Sequence, residues 1–311
     1  MPVGATKIPD LTTRDFLFKF GAKMITVVLG FATALVYGFA DFFGAISSRK
    51  LKPIFVTLFS GLSGLVFLLA MSPIFGLSTD PQAIFWGILA GLGSAVAVTT
   101  LYASLAIGPI SIISPLGAVM SALVPMFFGI LFNAEQFSVF GWFALAGILI
   151  AVVLVGFVPS KDARLPSLKG LLLGVTAGSF IGLILIFINQ SPPDSGLTPV
   201  VMMRLVSAST IALFVLISFL IYKNVGAGEF SIGKKFWLIV ALTGILDSSA
   251  NVFFLFAMRF GSLTVVSVLT ALYPLGTIIL ARIFLKEKIA KVQLAGVLLA
   301  LSCSALLASG I

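Results

Sequence analysis

The sequence predicts an all-α integral membrane protein with ten transmembrane helices, arranged as two inverted repeats of five helices each. Three observations predict this class. The composition is far more apolar than that of a soluble domain, and ten apolar runs have the length of a bilayer span. The second half of the chain repeats features of the first half, with a shift of about 144 residues in the opening helices and about 153 residues in the later ones.

The composition alone indicates a polytopic membrane protein. The chain has 311 residues, of which 60% are hydrophobic and 9% charged, and its mean hydropathy is +1.22. A soluble domain has about 25% charged residues. This chain therefore has too few polar side chains to cover a water-facing surface of its length.

The charge and the rare residues exclude several classes of function. The net charge is +9, but Lys and Arg lie in short tracts between apolar runs. There they set membrane topology and contact anionic lipid head groups, so nucleic acid is not an expected partner. The lone Cys303 allows no intrachain disulfide, and the absence of histidine removes imidazole metal ligands and His-based acid–base chemistry. No metal, cofactor or catalytic residue is expected.

The apolar runs place the helices. A hydrocarbon core needs about 20 apolar residues per helix, and runs of this length are too long for barrel strands. The predicted spans are 24–46, 53–76, 83–107, 110–132, 138–158, 168–189, 198–222, 235–259, 262–284 and 291–309. Residues 1–22 precede them as a tail, either partly ordered or forming a short interfacial helix with Phe16, Leu17 and Phe20 on its apolar face.

The internal repeat divides the chain into two units, 23–158 and 168–311, joined by a linker at 159–167. Glycines recur at equivalent positions of the two units, in the pairs Gly30 and Gly174, Gly38 and Gly182, Gly91 and Gly244, and Gly108 and Gly261. Because five is an odd number, the second unit must enter the membrane from the opposite side. Inverted repeats of this kind are typical of secondary transporters, whose site lies between the halves near the midplane.

The stretch YPLGTIILARIFLKE, from Tyr273 to Glu287, and the VQLAGVLLAL that follows it resemble the EamA family of the drug/metabolite transporter superfamily. A weaker copy in the first unit ends at Glu135, and the resemblance covers about residues 24–309. It implies a ten-helix permease that moves small organic solutes by alternating access. The chain departs from the repeat at Pro125, about three residues later than the equivalent of Pro274, so helix four is expected to kink at a different level from helix nine.

The leading hypothesis is therefore a secondary transporter, an exporter of a small organic metabolite, driven by protons or by exchange. The chain has no GxxxxGK[ST] nucleotide motif. A non-transporting membrane scaffold or sensor is the alternative, and a membrane-embedded enzyme is less favoured. The expected partners are the metabolite, the lipid bilayer and protons, and a monomer and a homodimer both stay open.

The expected location is the cell membrane, with multiple spans. Five basic residues fall on the side of the N-terminus and thirteen on the other side, with Arg204 inside a span. The positive-inside rule then predicts that both termini lie outside the cell. The family resemblance instead implies that both are cytoplasmic.

Three ionisable residues lie far enough inside predicted spans to be committed to the membrane, and none has a counterpart in the other unit. Asp247 is near the middle of its span, with Asn251 four residues later on the same helix face, and is the main candidate for substrate or proton contact. Its alternative role is structural. Arg204 could hold an anionic substrate group, pair with Asp247, or extend to the membrane surface.

Asp41 lies close to the end of its span, and Tyr37 is one helical turn earlier. Asp41 is interpreted as a gate or vestibule acid, or as a partner of basic residues in the adjoining loop. Tyr102 and Tyr273 complete the candidate site, since each offers a hydroxyl beside an apolar ring. Pro274 is expected to free a backbone carbonyl one turn earlier and so create a polar spot.

Overall fold

A computed structural model describes residues 13–48, 50–107, 110–156, 167–222, 233–284, 286 and 290–309. In these ranges the chain forms eleven helices, and the only β interaction is an isolated bridge between Leu77 and Gly196. The helices are α1 (Thr13–Ser48), α2 (Pro53–Phe75), α3 (Pro81–Ile107), α4 (Ile110–Phe132), α5 (Val139–Gly156), α6 (Leu168–Asn189), α7 (Thr198–Tyr222), α8 (Lys234–Ala257), α9 (Leu263–Thr270), α10 (Pro274–Phe284) and α11 (Lys291–Ser309).

The predicted all-helical membrane class is confirmed. Seven helical stretches are long and apolar enough to cross a bilayer, counting α9 and α10 as one. Three shorter apolar stretches lie in α4, α5 and α11. Because α9 and α10 together occupy the ninth predicted run, the eleven helices correspond to the ten runs read from the sequence. The chain is a multi-pass membrane protein.

Helix α1 begins earlier than the first predicted span. It runs without a break from Thr13 to Ser48, so residues 13–23 continue the helix of the span. Gly21 is the one strong helix breaker in this extension, and a single glycine costs only about 1 kcal/mol relative to alanine. Residues 1–12, and the side chains of Phe16, Leu17 and Phe20, lie outside what the structure describes.

The ninth span is interrupted between Thr270 and Pro274. Proline has no N–H to donate, and the amides of Leu272 and Tyr273 bond the carbonyls three residues earlier, each at 3.1 Å. The Thr270 carbonyl accepts the Tyr273 amide, whereas the Ala271 carbonyl, three residues before Pro274, accepts no backbone amide among the described residues. The equivalent α4 continues as one helix through Pro125.

The two units interlock rather than fold side by side. The extensive helix contacts pair a helix of one unit with a helix of the other: α1 with α8, α9 and α10; α3 with α6 and α7; α2 with α7 and α8; α4 with α6 and α9; and α5 with α11. Small residues let these backbones approach closely. A Cβ at Gly244 of α8 would clash with the Ser60 carbonyl of α2.

One end of the bundle, here called the N-terminal face, carries the start of α1 and four connections between helices. Leu197, before α7, donates its amide to the Gly76 carbonyl, after α2, at 3.0 Å. Leu263, at the start of α9, donates to Glu135, after α4, at 2.9 Å. Gly261 contacts Thr26 near the start of α1. The other end, where α1 finishes at Ser48, is called the opposite face.

Candidate functional site

An ion pair joins α7 to α8 inside the bundle. The guanidinium of Arg204 contacts the carboxylate of Asp247, and the two side chains are 12% and 31% exposed. Arg204 therefore binds an acid within the protein and does not extend to the membrane surface. Since a charge inside a bilayer is costly unless it is paired, each of these residues stabilises the charged state of the other.

A chain of hydrogen bonds connects this pair to α1. The Asn251 side-chain amide donates to the backbone carbonyl of Asp247 at 2.8 Å, one turn earlier in α8. Its oxygen accepts the hydroxyl proton of Tyr37 at 2.8 Å. Asn251 is only 3% exposed, so it positions Tyr37 and does not itself line an open space.

Helical geometry places both acids on inward faces. Val28 of α1 and Leu238 of α8 are 60% and 68% exposed, which marks the outer side of each helix. At 3.6 residues per turn, Asp41 is rotated by about 220° from Val28, and Asp247 by about 180° from Leu238. Both acids therefore point into the bundle.

Asp41 is nevertheless exposed, and so is Ala45 one turn later. An exposed residue on the inner face of a helix must border open space within the bundle. This space, here called the α1 cleft, lies towards the opposite face because Asp41 and Ala45 are in the last turns of α1.

Tyr273 is brought to the same region by a close crossing of α1 and α10. A Cβ at Gly38 would clash with the Tyr273 carbonyl, and the Thr277 hydroxyl donates to the Gly38 carbonyl at 3.1 Å. Asp41 lies within electrostatic range of both Tyr37 and Tyr273. Tyr273, in the break between α9 and α10, thus lies at the edge of the α1 cleft.

The structure brings together six of the seven residues singled out in the sequence: Tyr37, Asp41, Arg204, Asp247, Asn251 and Tyr273. For the seventh, Tyr102, only the backbone position in α3 is described, and its side chain lies outside the described residues. Lys50, a basic residue of the loop after α1, does not pair with Asp41. Its ammonium lies over the Phe236 ring, 5.8 Å from the ring centroid. Arg49 lies outside the described residues.

A second polar contact, between α7 and α3, is one that the sequence does not predict. Ser207 of α7 donates its hydroxyl to that of Ser94 in α3 at 3.4 Å, and both are buried. The repeat aligns Ser94 with Asp247, and this alignment is the sequence feature that could indicate a polar role for Ser94. Two serines in an apolar run are common, which is why sequence alone did not distinguish them.

The fold and the site define a class of protein. Ten apolar spans surround an inward ion pair and inward tyrosines, an arrangement that suits a membrane transporter. The sequence profile of the EamA-like transporter family, which belongs to the drug/metabolite transporter superfamily, matches residues 168–309. This match indicates a membrane transporter of the drug/metabolite type.

Comparison with solved structures supports the fold. One crystal structure of a protein aligns with a TM-score of 0.72 over 90% of this chain and 95% of its own, at 15% sequence identity. A likeness at this identity concerns the fold alone. No protein of curated function matches the sequence significantly.

Proposed function

We propose that the protein is a secondary active transporter, an exporter of a small organic metabolite, which works by alternating access between two inverted five-helix repeats. The observation that carries this proposal is the polar cluster on inward faces of α1, α7 and α8, helices that come from both units. A solute bound there would touch both halves at once, as alternating access requires.

Equivalent contacts support the two-copy architecture. Gly91 of α3 approaches Val206 of α7, and the aligned Gly244 of α8 approaches Ser60 of α2. Ser60 is the position that the repeat aligns with Val206. The same correspondence holds for the first helix of each unit. Gly30 of α1 lies against Leu269 of α9, and the aligned Gly174 of α6 lies against Gly117 of α4.

The two faces support an inverted relation between the units. Helix α1 begins at the N-terminal face, whereas α6, the first helix of the second unit, ends there beside the start of α7. Corresponding helices would therefore cross the bilayer in opposite directions. Such a pair of halves can adopt two related packings, open to one face or the other.

The ion pair suggests how the solute or a proton is coupled to this change. Arg204 and Asp247 join α7 to α8, and Tyr37 and Asn251 join α1 to α8. A ligand that competes for these groups would bind one packing better than the other and so shift their populations. This role is mechanical and electrostatic, so no covalent catalysis is assigned to these residues.

We also propose that the protein resides in the cell membrane with the opposite face towards the cytoplasm, as the excess of basic residues on that side favours. In this orientation the α1 cleft would open to the cytoplasm. That is the state in which an exporter loads its solute.

The test is transport by the purified full-length chain in proteoliposomes, with a mixed metabolite pool inside and its isotope-labelled counterpart outside. We expect counterflow of a subset of organic solutes that depends on a pH gradient. In Asp247→Asn, we expect this counterflow to be lost or to become independent of the gradient. Asp194→Asn, which changes an acid at the N-terminal face, should transport normally. Flux no greater than in protein-free vesicles would favour the scaffold alternative, and unchanged pH dependence in Asp247→Asn would reject the coupling role.

A further inference from the structure

We propose that the α1 cleft binds an organic cation, a protonated amine or a quaternary ammonium, with Asp41 as its counter-ion. This inference rests on the proposed function, because it names the class of solute that the transporter would carry. It depends on the charge balance of the inward cluster, on the side chains beside Asp41, and on the access that the cleft provides.

The charge balance leaves one acid uncompensated. The cluster contains two carboxylates, Asp41 and Asp247, and one cation, Arg204. Arg204 is engaged by Asp247, and no ion-pair partner of Asp41 is found among the residues that the structure describes. An anionic solute would have to displace Asp247 from Arg204, whereas a cationic solute meets in Asp41 an acid that has no ion-pair partner within the described part of the chain.

Two aromatic side chains flank this acid. Tyr37 lies one turn before Asp41 on the same side of α1, and Tyr273 approaches from the break between α9 and α10. The Tyr37 hydroxyl is held by Asn251, which limits the orientations of its ring. A carboxylate beside aromatic rings is the combination that recognises ammonium groups, through charge and through the negative face of the ring.

The fold does not need an acid at this position. The repeat aligns Asp41 with Leu185 of α6, which is 2% exposed and packs in the apolar core, and Tyr37 with Ile181. The equivalent helix crossing is thus built from aliphatic side chains. Packing therefore does not require an acid at this position, and an exposed carboxylate inside a membrane protein is available to neutralise a cationic ligand.

Asp41 is also reachable. Its side chain and Ala45 are exposed on the inward side of α1, in the turns that lead to the opposite face. A hydrated solute that enters from that face would therefore meet the Asp41 carboxylate before the half-buried pair of Arg204 and Asp247.

Charge-selective labelling tests this inference without knowledge of the natural solute. In a Cys303→Ala background, Ala45→Cys is treated with a cationic thiol reagent, 2-(trimethylammonio)ethyl methanethiosulfonate, or with its anionic analogue, 2-sulfonatoethyl methanethiosulfonate. The labelling rate of each reagent is divided by the rate at which the same reagent reacts with free 2-mercaptoethanol. We expect the cationic reagent to be favoured by about tenfold or more, since one charge at helical-turn distance acts in opposite directions on the two reagents.

The variants identify the source of the preference. Asp41→Asn should lower the ratio several-fold, Asp41→Glu should retain it, and Asp194→Asn at the N-terminal face should leave it unchanged. Val28→Cys, on the outer side of the same helix, should react with neither reagent. Thermal unfolding of each variant checks that it is folded, and the ratio measured with Asp41 intact decides the question even if Asp41→Asn does not fold.

Equal rates for the two reagents, faster reaction of the anionic reagent, no reaction at Ala45→Cys, or a ratio that Asp41→Asn does not change would each overturn the inference. The labelling requires no transport. A chain that moves no solute but shows the preference would reject the proposed function alone, and a chain that transports but shows no preference would reject this inference alone.

Discussion

At the scale of single residues, the site consists of polar groups that contact one another across helices. Arg204 pairs with Asp247, and Asn251 uses its amide to hold both the Asp247 carbonyl and the Tyr37 hydroxyl. Removal of one member therefore leaves its partner unsatisfied inside the membrane, which costs more than the interaction itself contributes. Single substitutions here should act on stability as well as on transport.

A double-mutant cycle on the ion pair should show this asymmetry. We expect Arg204→Met and Asp247→Leu each to lower the stability, and Asp247→Leu by up to about 3 kcal/mol, because it leaves the more deeply buried charge, that of Arg204, unpaired. The double variant should recover much of that loss, with a coupling energy of about 1–3 kcal/mol. Thermal unfolding in detergent measures it, and additive effects would mean that the two charges do not interact.

Tyr37→Phe should remove one hydrogen bond and little else. We expect a loss of about 0.5–1.5 kcal/mol in stability, since the Asn251 oxygen loses its donor while the ring is retained. Reconstituted Tyr37→Phe should then transport with a weaker apparent affinity. A variant with unchanged stability and affinity would show that the hydroxyl does not hold Asn251.

At the scale of helices, the close crossing of α1 and α10 determines where Tyr273 lies. Gly38 and Gly276 face each other there, and a Cβ on either would meet backbone atoms of the other helix. Backbone cannot move aside as a side chain can. The position of Tyr273 beside the α1 cleft therefore depends on glycine, which has no Cβ, at both of these positions.

Two glycines of the same helix offer a matched test. Gly38→Ala should destabilise the protein by at least about 1–3 kcal/mol, because the added methyl group forces the two helices apart. Gly21→Ala, where nothing lies within 4 Å, should be neutral or stabilising by up to about 1 kcal/mol through helix propensity. Apparent unfolding temperatures in detergent give the comparison, and equal effects would contradict the close crossing.

At the scale of the whole molecule, the N-terminal face is held closed by contacts between the two units. The Glu135 carboxylate accepts the amides of Leu263 and Thr264, at 2.9 and 3.1 Å, at the positive end of α9. The Leu77–Gly196 bridge makes a second link. Opening of this face during transport would have to break such contacts, whereas the α1 cleft borders the other face.

Glu135→Ala should therefore favour opening at the N-terminal face. Hydrogen bonds to a charged acceptor contribute about 1.5–3 kcal/mol each, so the open population should rise by roughly tenfold or more. Labelling of Thr26→Cys in the Cys303→Ala background reports this change, since Thr26 is 3% exposed in the closed face. Asp194→Ala serves as the control, and an unchanged labelling rate in Glu135→Ala would mean that Glu135 does not hold the face closed.

The class of the protein and the positions of its helices follow from local sequence alone. Spans of about 20 apolar residues follow from the thickness of the bilayer and from the need to satisfy every backbone group, so they are visible locally. The same reasoning selected Asp41, Arg204 and Asp247, because a charge within such a run is costly wherever it lies. The interruption at Pro274 was also visible, since the missing N–H is a property of the residue.

How these residues meet depends on the packing of helices that are distant in sequence. Tyr37 and Asn251 are 214 positions apart, and no local pattern encodes their hydrogen bond. The same holds for the choice of Asp247 as the partner of Arg204, for the burial of Asn251 and for the exposure of Asp41. These outcomes depend on which helices of the two units cross and at what height, and that depends on close glycine contacts summed over the whole bundle.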